Sequence, residues 1–267
     1  MIRKLLKYDI KATARYLLPL YAVSLAISLV NGLVNPFDII ENAQGFSLQL
    51  LISVLLVIVL FIMIFVMLAG TTIMQIQRFQ QNLLADEGYL SFTLPVKAWQ
   101  HILSKLITSL IWVVLCIIVM ILNFLIVARV SIASLLDTFH EVLNEMEVAL
   151  GSGGYIALII YLLFAILLIF MTLYNALTIG HHFQSHKIIA SFITFFVFYF
   201  VTQLLLVAAS IVYMLITFGS FDNIPMQADT LPNFGLLMGS FTIIIALISL
   251  GHYLSLNYFL KNKLNLE

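Results

Sequence analysis

Six long apolar runs, almost free of charge, dominate the 267-residue sequence. A helix needs about 20 apolar residues to cross the hydrocarbon core of a bilayer, whereas strands of a membrane barrel alternate apolar and polar residues over about 10 positions. Apart from Lys105 at the edge of the third run, none of the six contains Asp, Glu, Lys or Arg. The sequence therefore predicts an all-α membrane protein, with one membrane domain over residues 1–267. The six predicted spans are residues 16–34, 48–74, 102–127, 155–179, 188–218 and 234–259.

The composition excludes several other classes of protein. Hydrophobic residues make up 63% of the chain and charged residues 9%, whereas a soluble domain has about half and about a quarter. The net charge of zero gives no basic field for nucleic acid, and the lone Cys116 has no partner for a disulfide. A disordered chain, a nucleic-acid binder and a disulfide scaffold are excluded. Cys116 is predicted to pack within the third span.

The charges sort onto alternate sides of the predicted spans. Eleven of the twelve basic residues lie in the N-terminal segment, in or beside the second connection, in the fourth connection and in the C-terminal tail. The first, third and fifth connections hold eight of the twelve acidic residues and one base, Arg129. By the positive-inside rule, both termini are cytoplasmic and the acidic connections are external. The first span is expected to be retained, because no A-x-A-like cleavage site follows it.

The first fifteen residues have the pattern of an amphipathic helix lying on the membrane. At 100° per residue, Lys4, Lys7, Lys11 and Arg15 form one stripe, and apolar residues cover the other side. Such a helix places its bases near anionic headgroups. Asp9 lies within the apolar face, so we expect it to contact protein. The alternative is that the bases serve only as a topology signal.

The second connection, residues 75–101, is the longest cytoplasmic stretch. A polar helical run over residues 75–82 is expected to extend the second span. Gly88 is predicted to end a helix, and Pro95 suits the start of another. The connection would then hang below the membrane with exposed Leu, Tyr and Phe side chains, which favours a protein-binding surface. The alternative is a loop packed against the helices.

The third connection, residues 129–154, has apolar residues at helical spacing and acidic residues between them. This pattern predicts an external amphipathic helix, lying on the surface or forming a lid. Its acidic face would attract cations or cationic peptides, although simple solvation of an external segment explains the same residues. The acidic face consists of Asp137, Glu141, Glu145 and Glu147.

The spans contain no constellation typical of catalysis. Asn144 stands where an HExxH zinc motif needs its second histidine, and His181, His182 and His186 are better explained as interfacial histidines than as metal ligands. There is no GxxxxGK[ST] sequence, so we expect no enzyme, bound cofactor or metal.

Side-chain amides within the spans are few. Asn123 and Asn175 are expected to hydrogen-bond between helices. Thr202 and Gln203, near the middle of the fifth span, have the same explanation or line a substrate path.

Several segments together resemble bacterial ABC-2-type permeases, especially small ones of Gram-positive bacteria. The most specific is Asp86-Glu87-Gly88-Tyr89-Leu90-Ser91-Phe92-Thr93-Leu94-Pro95. The opening residues 5–9, residues 179–187 and the ending residues 261–267 are also similar to that group.

This resemblance implies a transmembrane subunit in the bacterial cytoplasmic membrane. It would form a homo- or heterodimer and bind separate cytosolic ABC ATPase subunits, which hold ATP and Mg²⁺. Residues 1–15 would be the elbow helix, and residues 75–101 the coupling loop, with its candidates Asp86, Glu87, Gly88, Tyr89, Phe92 and Pro95. The family's substrate path typically follows the dimer interface along spans one, two and five. One departure is the short connection between spans five and six, where ABC-2 exporters commonly have re-entrant helices.

Two functions follow as hypotheses. The first is a permease subunit that exports an amphipathic or hydrophobic compound, or clears it from the membrane, because charge-free spans suit apolar cargo. The acidic external face makes a cationic peptide one candidate cargo. The alternative is a membrane sensor or immunity protein that binds a ligand or partner without transport.

Overall fold

A computed structural model describes residues 2–43, 45–85, 88, 96–129, 132–150, 154–183, 186–219 and 234–262. Within these residues the chain is helical and contains no strand. The α-helices are α1 (Ile2–Val34), α2 (Pro36–Glu41), α3 (Leu48–Phe79), α4 (Ala98–Ala128), α5 (Ile132–Leu150), α6 (Gly154–Gly180), α7 (Lys187–Phe218) and α8 (Phe234–Asn262).

Six of these helices, α1, α3, α4, α6, α7 and α8, are long and apolar enough to cross a membrane. Each of the six predicted spans therefore corresponds to one such helix, and the chain fits a multi-pass membrane protein. Four of the six predicted starts lie within one residue of the helix starts in the structure. The agreement follows because a backbone in hydrocarbon must satisfy its polar groups within the helix, so that the apolar run and the helix coincide.

The first helix differs from the expectation in one respect. Residues 2–15 do not form a separate interfacial helix but continue directly into the first span, so α1 has 33 residues. The segment before the span contains no Gly or Pro that would break a helix. Pro19 lies inside α1, a position that membrane helices tolerate.

The second span continues beyond its apolar part, as the polar run over residues 75–82 predicts. After α3 the chain makes a π-helical turn, Gln80–Leu84, in which Ala85 N donates to Gln80 O at 3.0 Å. Gly88, which was predicted to end a helix, is itself helical, and its N donates to Ala85 O at 2.7 Å; residues 86, 87 and 89–95 lie outside the described residues. The helix that begins with α3 and continues through the π-helical turn ends at the bend at Ala85.

Residues Met1–Phe79 and Leu103–Asp137 form one compact unit. Its apolar cluster contains Leu17, Tyr21, Met67, Trp112 and Cys116, so the predicted packing role of Cys116 is confirmed. The Tyr21 hydroxyl hydrogen-bonds to Thr71 Oγ1 at 2.9 Å. The cluster thus joins α1, α3 and α4 through both apolar contacts and hydrogen bonds.

A second polar contact joins α1 and α4 in this unit. Ser28 Oγ donates to Asn123 Oδ1 at 2.7 Å, and Asn123 Nδ2 donates to Ser24 Oγ at 3.3 Å. All three side chains are buried. The expectation that Asn123 hydrogen-bonds between helices is therefore confirmed.

Residues Gln80–Ile102 and Thr138–Glu267 form a second compact unit. Its helix α6 packs against both α7 and α8. The two helices approach each other closely at Gly180, where an added Cβ would overlap Ser191 Oγ and would lie 2.6 Å from Ser191 Cα. Only glycine allows two backbones to approach this closely.

We predict that Gly180→Ala destabilises the protein by about 2 kcal/mol or more, because the methyl group overlaps the α7 backbone. Gly251→Ala is the matched control, since nothing lies within 4 Å of its added Cβ and alanine favours a helix by up to about 1 kcal/mol over glycine. Thermal unfolding in detergent measures both. Equal melting temperatures for the two variants would contradict the close approach at Gly180.

Candidate functional site

The first functional feature is a buried ion pair in the first unit. Lys105 Nζ donates to Asp9 Oδ1 at 2.6 Å, and Ser104 Oγ donates to Asp9 Oδ2 at 3.5 Å. Asp9 is 9% exposed and Lys105 is 5% exposed. The expectation that Asp9 contacts protein is confirmed, and its partner is the one charged residue within the six predicted spans.

The basic residues of α1 differ from Asp9 in their exposure. Lys4, Lys7, Lys11 and Arg15 are exposed on α1, whereas Asp9 lies on the opposite, packed face. A carboxylate among apolar residues is costly unless it is paired. The sequence pattern thus identifies two faces of α1, a basic face that is open and a packed face with one buried acid.

The second feature is a cavity of about 390 Å³ in the second unit, bounded by α6, α7 and α8. Its wall is mostly apolar, but five polar side chains also contribute, Tyr161, Thr172, Tyr199, Thr202 and Gln203. The substrate-path candidates Thr202 and Gln203 therefore both line a cavity. A mostly apolar wall with a few polar groups is the usual composition of a small-molecule site.

Thr202 and Gln203 differ in exposure. Thr202 is buried, whereas Gln203 is exposed on α7. An amide facing hydrocarbon is unfavourable unless it meets a hydrogen-bonding partner. At this cavity, Gln203 can supply both a donor and an acceptor to a bound molecule.

A buried polar cluster in the second unit was not predicted from the sequence. Asn175 Nδ2 donates to His252 Nδ1 at 3.0 Å, and Ser255 Oγ donates to Asn175 Oδ1 at 3.1 Å. The cluster joins α6 to α8, which confirms that Asn175 hydrogen-bonds between helices. The signal in the sequence was a histidine within the sixth span and a serine three residues later, which share one face of a helix.

The histidines at residues 181–186 give no sign of a metal site. His181 Nε2 hydrogen-bonds to Gln80 Nε2 at 3.3 Å, and the His182 ring makes an edge contact with Phe259. Burial, with a smaller effect of the Lys187 charge, lowers the pKa of His181 below its usual value. Within the part of the chain that the structure describes, no three His, Cys, Asp or Glu residues are grouped to hold a metal.

Most coupling candidates fall outside the described residues: Asp86, Glu87, Tyr89, Phe92 and Pro95. Gly88 is described and is buried.

The acidic candidates of the third connection lie on helix α5, as predicted. Asp137, Glu141, Glu145 and Glu147 are all exposed. Apolar side chains of the same helix are exposed as well, with Phe139 at 53% and Val148 at 87%. Helix α5 therefore presents both an acidic and an apolar surface, neither of which is covered by the described part of this chain.

Comparisons with protein-family models, with curated proteins and with solved structures find no match.

We predict that Asp9→Asn lowers the free energy of unfolding by about 3 kcal/mol, because it removes the carboxylate charge that faces the buried Lys105 ammonium. Thermal or denaturant unfolding in detergent measures the loss. The control Glu41→Gln removes an exposed charge and changes stability by less than about 0.5 kcal/mol.

The double variant Asp9→Leu/Lys105→Met distinguishes the effect of breaking the Asp9–Lys105 ion pair from the effect of disturbing the packing around it. Replacing both ions with apolar groups of similar size is expected to restore most of the lost stability. Equal losses for Asp9→Asn and Glu41→Gln would show that the ion pair contributes nothing.

Proposed function

We propose that this chain is the transmembrane subunit of an ABC-2-type transporter, which exports an amphipathic or hydrophobic compound or clears it from the membrane. In this proposal the chain pairs with a second permease copy or a paralogue in a bacterial cytoplasmic membrane. A separate cytosolic subunit hydrolyses ATP. The observation that carries the proposal is the mostly apolar cavity, with a few polar side chains, between α6, α7 and α8, in a chain with six apolar helices long enough to span a bilayer.

The cavity supports the choice of cargo. Its apolar wall suits a hydrocarbon or aromatic moiety, and Thr202 and Gln203 suit a single polar group. None of its described lining residues is charged, so these side chains offer a bare ion no charge to compensate for its lost hydration. The cavity uses the fifth span, as the resemblance implies, but combines it with the fourth and sixth spans rather than the first and second.

The coupling to an ATPase is supported by sequence. Residues 86–95 resemble the cytoplasmic loop of ABC-2 permeases, and eleven of the twelve bases lie on that side of the spans. The positive-inside rule then places this loop and both termini in the cytosol. Residues 1–15 would act as the elbow, even though they continue α1 without a break.

Helix α5 supports a cationic peptide as one possible cargo class. The third connection, which contains α5, is predicted from the distribution of charges to lie on the opposite side of the spans from the coupling loop. All four acidic candidates on α5 are exposed. An acidic surface raises the local concentration of a cationic ligand. The exposed apolar side chains of the same helix would contact the ligand's apolar face.

The first test of the proposal is co-purification. Tagged protein expressed with its genomic neighbours is expected to retain an ATPase subunit that carries a GxxxxGK[ST] motif, and the complex is expected to hydrolyse ATP. Asp86→Ala/Glu87→Ala is expected to remove most of the bound ATPase, because it removes the charges of the coupling loop.

The matched control is Glu141→Ala/Glu145→Ala, which removes two acids from the external helix and is expected to leave the ATPase bound. Absence of any ATPase from the purified protein would sink the proposal, as would full ATPase retention by the coupling-loop variant.

The second test fills the cavity. Ala165→Leu adds bulk to the cavity wall and leaves less room for cargo. It is expected to lower cargo-stimulated ATP hydrolysis by about tenfold, because a loss of about 1.4 kcal/mol in binding free energy weakens cargo binding by a factor of ten. Ala208→Leu makes the same change at an exposed position of α7 and is expected to leave it unchanged. If cargo stimulates ATP hydrolysis by both variants as strongly as by the parent protein, the cavity is not the cargo site.

The alternative, a sensor or immunity protein, is favoured by one observation, the exposed acidic and apolar surfaces of α5. A sensor would bind its ligand at α5 with the same affinity whether or not an ATPase is present. In the co-purification test it would yield no ATPase, and Glu141→Ala/Glu145→Ala would weaken ligand binding.

A further inference from the structure

The cavity between α6, α7 and α8 contains a threonine that differs from three others on the same helices. Thr172, Thr178 and Thr194 each donate a hydrogen bond, at 2.8 Å, to the carbonyl oxygen four residues earlier in their own helix. Within the described part of the chain, the Thr202 hydroxyl has no such bond, although Thr202 is only 8% exposed. Because a buried hydroxyl without a partner is unfavourable in hydrocarbon and Thr202 lines the cavity, this group points to a bound molecule.

Three more polar side chains of the cavity wall are in the same condition. Tyr161, Tyr199 and Gln203 line the cavity, and none of them hydrogen-bonds to another residue within the described ranges. A hydroxyl can both donate and accept, and the glutamine amide offers donors and an acceptor. The wall therefore offers a bound molecule several hydrogen bonds at once, beyond the single polar group that Thr202 and Gln203 suit.

These polar groups are spread along the cavity rather than gathered at one end. On α6 the lining extends from Tyr161 to Thr172, which is about three turns or about 16 Å of helix. On α7, Tyr199 and Gln203 lie about one turn apart. A molecule that fills the cavity thus meets hydrogen-bonding groups at more than one point along its length.

Aromatic rings form much of the remaining wall. Tyr161 contributes one ring from α6, and Phe195 and Tyr199 contribute two from α7. The rings of Phe195 and Tyr199 lie 6.4 Å apart between centroids, with 22° between their planes. Contacts between aromatic rings stabilise a complex beyond the area that they bury. None of the described lining residues is charged, so the wall favours an uncharged aromatic molecule over an ion.

We propose that this cavity binds an uncharged aromatic compound that carries at least two hydrogen-bonding groups. Thr202 and Gln203 bond one of these groups, a tyrosine hydroxyl bonds the other, and the rings of Tyr161, Phe195 and Tyr199 contact the aromatic part. Calling this compound the cargo rests on the proposed transport function, whereas its binding depends on this chain alone.

The test measures binding of matched probes to the purified full-length chain in phosphatidylcholine nanodiscs, with empty nanodiscs to correct for partition into lipid. The aromatic diol 4,4′-dihydroxybiphenyl is expected to bind at least about tenfold more tightly than biphenyl, which has no hydrogen-bonding group. The saturated analogue 4,4′-dihydroxybicyclohexyl is expected to bind about fivefold more weakly than the aromatic diol, because it has no aromatic ring. The anion 4′-hydroxybiphenyl-4-carboxylate is expected to bind at least about tenfold more weakly than the aromatic diol, because its charge loses hydration.

The variant Thr202→Val keeps the shape of the side chain and removes its hydroxyl. It is expected to weaken binding of the aromatic diol about fivefold, from one lost hydrogen bond, and to leave binding of biphenyl unchanged. Thr194→Val is the matched control on the same helix, because the Thr194 hydroxyl is bonded to Ala190 O and lies outside the cavity wall. The control is expected to bind both probes like the parent protein.

Equal affinities of the parent for the aromatic diol and biphenyl would refute the site, as would unchanged binding of the diol to Thr202→Val. An equal loss of both probes in Thr202→Val would show that this side chain acts only through packing, which also contradicts the site. If the saturated or the anionic probe bound as tightly as the aromatic diol, the class of ligand would be wrong.

These measurements need no ATPase, so the two proposals fail separately. Absence of an ATPase after co-purification would remove the transport role and leave the binding site intact. Failure of the probes would remove this class of ligand and leave the ATPase partnership intact.

Discussion

Everything in this protein depends on one constraint, that a backbone crossing hydrocarbon must hydrogen-bond to itself. The same rule extends to side chains. Many Ser and Thr hydroxyls in the spans donate to a carbonyl one turn earlier in their own helix, as Thr172 does to Leu168 O at 2.8 Å. Larger polar groups reach across to a neighbouring helix, as Asn123 and Asn175 do. Hydrogen bonds between polar side chains thus help to hold the helices together within the membrane, where the hydrophobic effect that drives the folding of soluble proteins is absent.

The helices were predictable from sequence because the hydropathy of a run is a local property. The rotation of each helix about its axis is not a local property, so the partner of a side chain on another helix cannot be read from sequence. Asp9 was recognised as misplaced on an apolar face, but its partner Lys105 lies 96 positions away in sequence. The break expected after residue 15 does not exist, since amphipathicity describes the faces of a helix and says nothing of where it ends.

The candidate sites show the same division. Thr202 and Gln203 were identified as unusual because a polar residue in the middle of an apolar span is visible in one sequence. That they share a cavity with Tyr161 and Thr172 depends on how α6 and α7 pack, which no single sequence states. His252 was missed because a search of the spans for Asp, Glu, Lys and Arg does not include histidine.

The ion pair of Asp9 and Lys105 also orders events during synthesis. Asp9 leaves the ribosome nearly a hundred residues before Lys105, which at about 5–20 residues per second is a delay of roughly 5–20 s. Until Lys105 has been made, the ammonium that Asp9 contacts in the folded chain is absent, which raises the cost of burying the carboxylate. Arrival of the third span brings the ammonium, and the earliest part of the chain becomes fixed by one of its later parts.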